Sequence, residues 1–162
     1  LLAAMTLFQT DALKTPVESA LRPDLKRILW AAPIAVYIQI VFGALLRHPG
    51  TGIDTTLVAL HLGWAFVATS FVAVLFARIR SSLPMNGLAG RLSLTMIGIL
   101  VFQVALGLFA YFVLLDESGR IQPSNVQVIA NSAHMVTGAL LFASTVSVCL
   151  LAARIRYHAP TR

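Results

Sequence analysis

The chain has 162 residues, of which 58% are hydrophobic and 11% are charged, less than half of the roughly 25% charged residues that a soluble domain carries. With a mean hydropathy of +0.84, this composition predicts a single integral membrane domain and excludes an ordinary soluble protein. The formal net charge of +6 does not indicate nucleic-acid binding, because the basic residues flank apolar stretches, where they set membrane orientation. The only cysteine is Cys149, so an internal disulfide is excluded.

Four apolar stretches follow one another along the chain, and each is close to the roughly 20 residues that a helical crossing needs. They predict transmembrane helices over residues 28 to 46, 56 to 77, 92 to 115 and 126 to 153. The sequence therefore predicts an all-α integral membrane protein, a bundle of four transmembrane helices over residues 27 to 156. Residues 1 to 26 are predicted to form a peripheral cytoplasmic segment and residues 157 to 162 a cytoplasmic tail. The apolar start, LLAAMTLF, is also compatible with the end of an earlier span in a longer protein.

The lysines and arginines are distributed unequally between the two sides of the predicted bundle. Four precede the first stretch, three lie between the second and third, and three follow the fourth, whereas only Arg47 and Arg120 fall on the other side. The positive-inside rule therefore predicts a multi-pass protein of a bacterial-type inner (plasma) membrane with both termini in the cytoplasm.

Two histidines open the second and fourth stretches. His61 begins HLGWAFVATSFVAVLFARIR and His134 begins HMVTGALLFASTVSVCLLAARIR, so that both stretches end in Ala-Arg-Ile-Arg. An unpaired polar group in hydrocarbon costs several kcal/mol, and each imidazole therefore needs partners. A single histidine here would suit a ligand or an interhelical hydrogen bond about equally. Two of them at equivalent places predict a shared ligand, and haem iron is the candidate because imidazole is a common axial ligand.

The first and third stretches also resemble each other. Residues 39 to 43 read Gln-Ile-Val-Phe-Gly, and residues 103 to 107 read Gln-Val-Ala-Leu-Gly. The chain is therefore predicted to be a duplicated helix pair. Because both pairs start and end on the cytoplasmic side, the repeat is of the parallel kind, with its axis along the membrane normal. Such an axis brings His61 and His134 face to face, as the iron of a bis-histidine haem b requires.

Small residues follow both histidines by one helical turn, Ala65 after His61 and Gly138 after His134. This pattern suits the flat face of a porphyrin. It also suits membrane helices that simply pack closely, and the sequence leaves both interpretations open.

Three further polar residues are candidates for contacts with the haem or its ligands. Gln39 and Gln103 either accept the imidazole N–H protons or bond across helices. Arg47 lies at the predicted outer mouth, where it either pairs with haem propionates or belongs to an exposed loop. All six acidic residues lie outside the predicted spans.

Together these motifs resemble the haem A synthase family, and specifically one four-helix half of its internally duplicated eight-helix fold. The resemblance covers roughly residues 28 to 153. It is carried by QIVFGALLRHPGTG, by FQVALG and by SAHMVTGALLFAS, together with the histidine that opens the second span. The chain lacks the intramembrane acid and the extracellular cysteine pair of the family's amino-terminal half. It is therefore more similar to the carboxy-terminal half, which holds the haem cofactor.

The resemblance implies that His61 and His134 are the histidine pair that holds haem b near the outer face. It implies an oxidoreductase that oxidises the C8 methyl group of haem O to the formyl group of haem A, for terminal oxidase assembly. Such a synthase needs a second haem site, which a second copy, another chain of a larger membrane complex, or the amino-terminal half of a longer protein would supply. The alternative is a b-type cytochrome-like subunit that carries electrons without synthase activity.

Overall fold

The structure is a computed structural model, and it describes residues 29 to 46, 54 to 83, 85 to 116 and 122 to 154. Within these ranges it contains four α-helices and no strand: α1 (Ala31–Leu45), α2 (Thr55–Ser82), α3 (Leu88–Asp116) and α4 (Asn125–Arg154). The all-helical prediction is confirmed for this part of the chain. The predicted peripheral segment and the predicted tail lie outside the described residues.

Three of the helices are long and apolar enough to cross a membrane. The helices α2, α3 and α4 have 28, 29 and 30 residues, which at about 1.5 Å per residue exceeds the roughly 30 Å of a hydrocarbon core. Large apolar side chains point outward from them, including Phe66, Val101 and Ile129, which are 78%, 67% and 68% exposed. Length and surface together indicate a membrane protein, as the composition predicts.

Helix α1 is shorter than the first predicted span. It has 15 residues and is therefore roughly 22 Å long. Pro33 lies in its first turn, where the missing N–H costs nothing, because the first N–H groups of a helix have no intrahelical acceptor. The proline is therefore tolerated at this place in α1. By length alone, α1 does not establish the fourth predicted crossing.

The ends of α2 have local causes in the sequence. The Oδ1 atom of Asp54 accepts hydrogen bonds from the backbone N–H groups of Thr56 (2.9 Å) and Leu57 (3.0 Å), so that Asp54 caps the helix. At the other end α2 continues past the predicted boundary at residue 77 to residue 82. Arg80 lies in this last turn, where a positive charge interacts favourably with the helix dipole.

The four helices pack in a closed ring in which α1 contacts α2 and α4, and α3 contacts the same two helices. The main core lies at one end of this ring, because it is built from the start of α1, the end of α2, the start of α3 and the end of α4. Its buried members are Leu29, Ala32, Val36, Val72, Leu75, Ile79, Leu83, Met96, Leu100, Leu141, Val148, Cys149 and Ala152. The histidines lie at the opposite end, where the buried side chains of the described residues are small, as at Ala110 and Ala130. Among the described residues, the large fully buried side chains are therefore concentrated at one end of the ring.

Candidate functional site

The structure brings His61 and His134 together across the ring. His61 lies in the second turn of α2 and His134 in the third turn of α4. The centroids of the two imidazole rings are 6.4 Å apart, and the ring planes are inclined at 78°. Both residues are half-buried. The two side chains that the sequence singles out therefore face each other from non-adjacent helices.

This separation matches that of two imidazoles on opposite faces of one iron. A bond from a metal to an imidazole nitrogen is about 2 Å long, and that nitrogen lies about 1.1 Å from the ring centre, so the two centroids are about 6 Å apart. Two imidazoles on one iron can take any angle about the line that joins their two bound nitrogens. The 78° between the ring planes is therefore compatible with such a site. No group of three or more His, Cys, Asp or Glu side chains occurs among the described residues. Two imidazoles alone suit haem, because the porphyrin supplies four further nitrogens.

Gln39 holds His61 from the neighbouring helix α1. Its amide nitrogen lies 3.2 Å from Nδ1 and 3.2 Å from Nε2 of the imidazole. The same nitrogen donates to the backbone carbonyl oxygen of His61 at 3.1 Å. Gln39 therefore contacts both the ring and the backbone of His61 through its amide nitrogen, whereas the sequence left open whether it accepts the imidazole proton or bonds across helices.

Gln103 occupies the corresponding place beside His134. Its amide nitrogen lies 3.4 Å from Nε2 of His134. Gly138, one turn after His134, provides the room, because a Cβ atom there would lie 3.0 Å from Nε2 of Gln103. The small residue at position 138 thus packs against the glutamine that contacts the imidazole.

Two glycines complete the contacts of the imidazoles. A Cβ atom on Gly43 would lie 3.1 Å from Cε1 of His61, and one on Gly107 would lie 2.9 Å from Cε1 of His134. Both are closer than the 3.5 to 4.0 Å or so at which carbon atoms normally touch. Each imidazole therefore lies directly on the backbone of the adjacent helix, in a space that any larger residue would fill.

The sequence contained a signal for these glycines, since Gln-x-x-x-Gly occurs in both α1 and α3. Residues four apart lie on one helix face, so each glutamine and its glycine meet the same histidine. From the sequence alone the motif indicates the repeat but no role for Gly43 or Gly107. The structure gives both a role in positioning the imidazoles.

Trp64 is another residue to which the sequence alone assigns no role. Its Nε1 donates to the backbone carbonyl oxygen of Ala35 at 2.9 Å, and its ring packs edge-on against Phe42 at 6.1 Å between centroids. A tryptophan in an apolar stretch gives little indication of its partner, because the carbonyl belongs to another helix. Trp64 ties α2 to α1 one turn beyond His61.

The remaining predicted residues have less defined positions. Ala65 is half-buried on α2. Arg47, which the sequence places at the mouth of the site, lies outside the described residues.

Comparison of the chain with protein-family profiles, with curated protein sequences and with solved structures found no match.

Proposed function

We propose that this chain is a haem-binding membrane protein of the haem A synthase type, in which His61 and His134 ligate the iron of a b-type haem from opposite faces. The observation that carries the proposal is the facing pair of imidazoles with centroids 6.4 Å apart. Each imidazole is also oriented by a glutamine and a glycine on an adjacent helix. A cofactor ligand needs such orientation more than a packing residue does.

The proposed architecture is a bundle of four crossings built from two parallel-repeat helix pairs. It is supported by two equivalent sets of contacts. In the first pair, Gln39 and Gly43 of α1 contact His61 of α2. In the second pair, Gln103 and Gly107 of α3 contact His134 of α4. In this proposal α1, extended by its apolar flanks, forms the fourth crossing. The distribution of lysine and arginine supports cytoplasmic termini in a bacterial-type inner membrane, with the histidines in its outer half.

A haem held by two imidazoles supplies reversible one-electron chemistry. In the proposed site His61 and His134 each use one ring nitrogen for the iron. In the proposal, Ala65, one turn after His61, lies against the haem. Gly138 contributes indirectly by giving room to the glutamine beside His134. Arg47 is proposed to pair with propionate groups at the outer mouth.

In the first candidate function, that of a synthase, the protein oxidises the methyl group of haem O to the formyl group of haem A. The two histidines then form a cofactor site, and haem O occupies a second site built with another copy of the chain or with another subunit. The resemblance of the Gln-x-x-x-Gly and histidine motifs to the haem A synthase family supports this reading.

A second candidate is an electron-carrying subunit of a larger membrane complex. It is favoured by the positions of the acidic residues, because the acids of the described residues, Asp54 and Asp116, lie at helix ends. General acid–base catalysis needs a group within hydrogen-bond reach of the substrate. Iron with two imidazole ligands also has no open position for oxygen.

Pigment analysis after expression in a host that makes haem O and lacks its own synthase distinguishes the two candidates. The proposed synthase produces haem A with the wild-type chain and none with His134→Ala. Persistent haem O alongside a reversible haem b redox transition would exclude the synthase and favour the electron carrier. Wild-type chain purified without any haem would overturn both.

A further inference from the structure

Two buried oxygen atoms in the site have no hydrogen-bond partner among the described residues: Oε1 of Gln39 and Oε1 of Gln103. A buried acceptor left without a partner costs about 1 to 3 kcal/mol. The two unpaired oxygens occur at equivalent positions of the repeat, and both belong to the amides whose nitrogens lie beside the imidazoles. Because the same unpaired oxygen occurs in both copies of the site, we expect a second state of the protein in which each oxygen accepts a hydrogen bond.

Metal binding changes the kind of hydrogen-bond partner that each imidazole needs. A neutral imidazole has one N–H donor and one nitrogen that accepts. The amide nitrogens of Gln39 and Gln103, which can only donate, lie 3.2 Å from both ring nitrogens of His61 and 3.4 Å from Nε2 of His134. Such a contact is favourable only where the ring nitrogen accepts. When a metal binds the other ring nitrogen, the nitrogen beside the amide carries the N–H, and metal-bound histidines regularly donate this proton to an acceptor. The amide nitrogen is then the wrong partner, whereas the unpaired oxygen on the same amide is the right one.

We propose that Gln39 and Gln103 are positioning residues that reverse their amides when the histidines bind metal, so that each Oε1 accepts the imidazole N–H. The proposal rests on the proposed haem site. Rotation about the last side-chain torsion exchanges oxygen and nitrogen, which are nearly identical in size, so the packing against Gly138 is kept. At Gln39 the reversal exchanges the bond to the carbonyl oxygen of His61 for one to the ring, and the amide must turn away from that carbonyl because two acceptor oxygens repel each other.

An accepting oxygen makes the imidazole a stronger electron donor, and this consequence can be measured. Loss of such an acceptor lowers metal affinity by about 10- to 100-fold. It also moves the midpoint potential of the bound haem to more positive values, because a weaker donor stabilises the ferric state less. A glutamine that merely joins two helices would affect stability and leave the potential unchanged.

The test compares Gln39→Met and Gln103→Met, which keep the length of the side chain without the acceptor, with Gln39→Glu and Gln103→Glu, which keep an acceptor. We expect the Met variants to bind haem about 10- to 100-fold more weakly at a more positive potential. The Glu variants should bind haem at least as tightly as wild type, at an equal or more negative potential. Gln127→Met, near the start of α4, is the matched control and should match wild type.

Isotope-edited infrared difference spectra of the wild-type chain provide a measurement that needs no variant to fold. The glutamine C=O stretch should fall in frequency when haem is added, because the oxygen then accepts a hydrogen bond. Haem bound by the wild type with no change in this band, or Met variants with an unchanged midpoint potential, would overturn the amide assignment alone. A wild-type chain without low-spin haem would instead overturn the proposed function on which it rests.

Discussion

Replacement of Gly107 by alanine tests whether the backbone of α3 sets the position of His134. The added Cβ atom would lie 2.9 Å from Cε1 of His134, about 0.6 Å or more inside normal carbon contact. The imidazole must therefore move by about that distance, which is comparable with the roughly 0.5 Å tolerance of a preorganised site. Overpacking costs about 1 to 3 kcal/mol, whereas alanine gains up to about 1 kcal/mol of helix propensity. We expect the unfolding free energy to fall by roughly 0 to 2 kcal/mol, and haem affinity to fall about tenfold or more.

Haem titration monitored by the Soret band, together with thermal unfolding of the haem-free protein, measures both quantities. Gly43→Ala should have a smaller effect, because its Cβ would lie 3.1 Å from His61. Gly98→Ala on the same helix α3 is the matched control, since nothing lies within 4 Å of a Cβ atom there. Equal haem affinity for Gly107→Ala and Gly98→Ala would refute the role assigned to Gly107.

Three further expectations concern packing and orientation. Leu75→Ala should lower the unfolding free energy by about 2 to 5 kcal/mol, because Leu75 is fully buried. Phe66→Ala should have little effect, because the Phe66 side chain is 78% exposed. Similar losses for the two variants in urea or thermal unfolding would contradict the place of Leu75 in the core. Trp64→Phe should cost about 1 kcal/mol through the lost bond to α1, and an unchanged melting temperature would argue against that tie. Cysteines introduced at Gly52 or Gly119 should react with impermeant reagents from outside the cell, in a background where the native cysteine is buried; labelling only from the cytoplasmic side would reverse the orientation.

The sequence predicts the long helices well and the short helix less well, for physical reasons. Helices α2, α3 and α4 coincide with uninterrupted apolar stretches, so composition alone locates them to within a few residues. The predicted first span, residues 28 to 46, contains α1 (Ala31–Leu45) and extends past it, because the apolar pattern continues beyond the ends of the helix. The extension of α2 to residue 82 follows from helix-forming arginines that were interpreted as the end of the span.

The candidate site was predictable as a pair of histidines but not as a packed arrangement. Their equivalent places in a repeat indicated a common partner, and the glutamines were expected to contact the imidazoles or to bond across helices. The close approach of Gly43 and Gly107 depends on how adjacent helices cross, which the period of one helix does not reveal. The concentration of large buried side chains at one end of the ring also depends on the joint packing of four helices.

The spectra of the haem-loaded protein test the central proposal most directly. We expect the purified wild-type chain to bind haem in a low-spin ferric state, and His61→Ala and His134→Ala to lose that state, while His158→Ala, in the tail, retains it. A high-spin wild-type spectrum, or a low-spin spectrum that survives both single substitutions, would contradict ligation by His61 and His134.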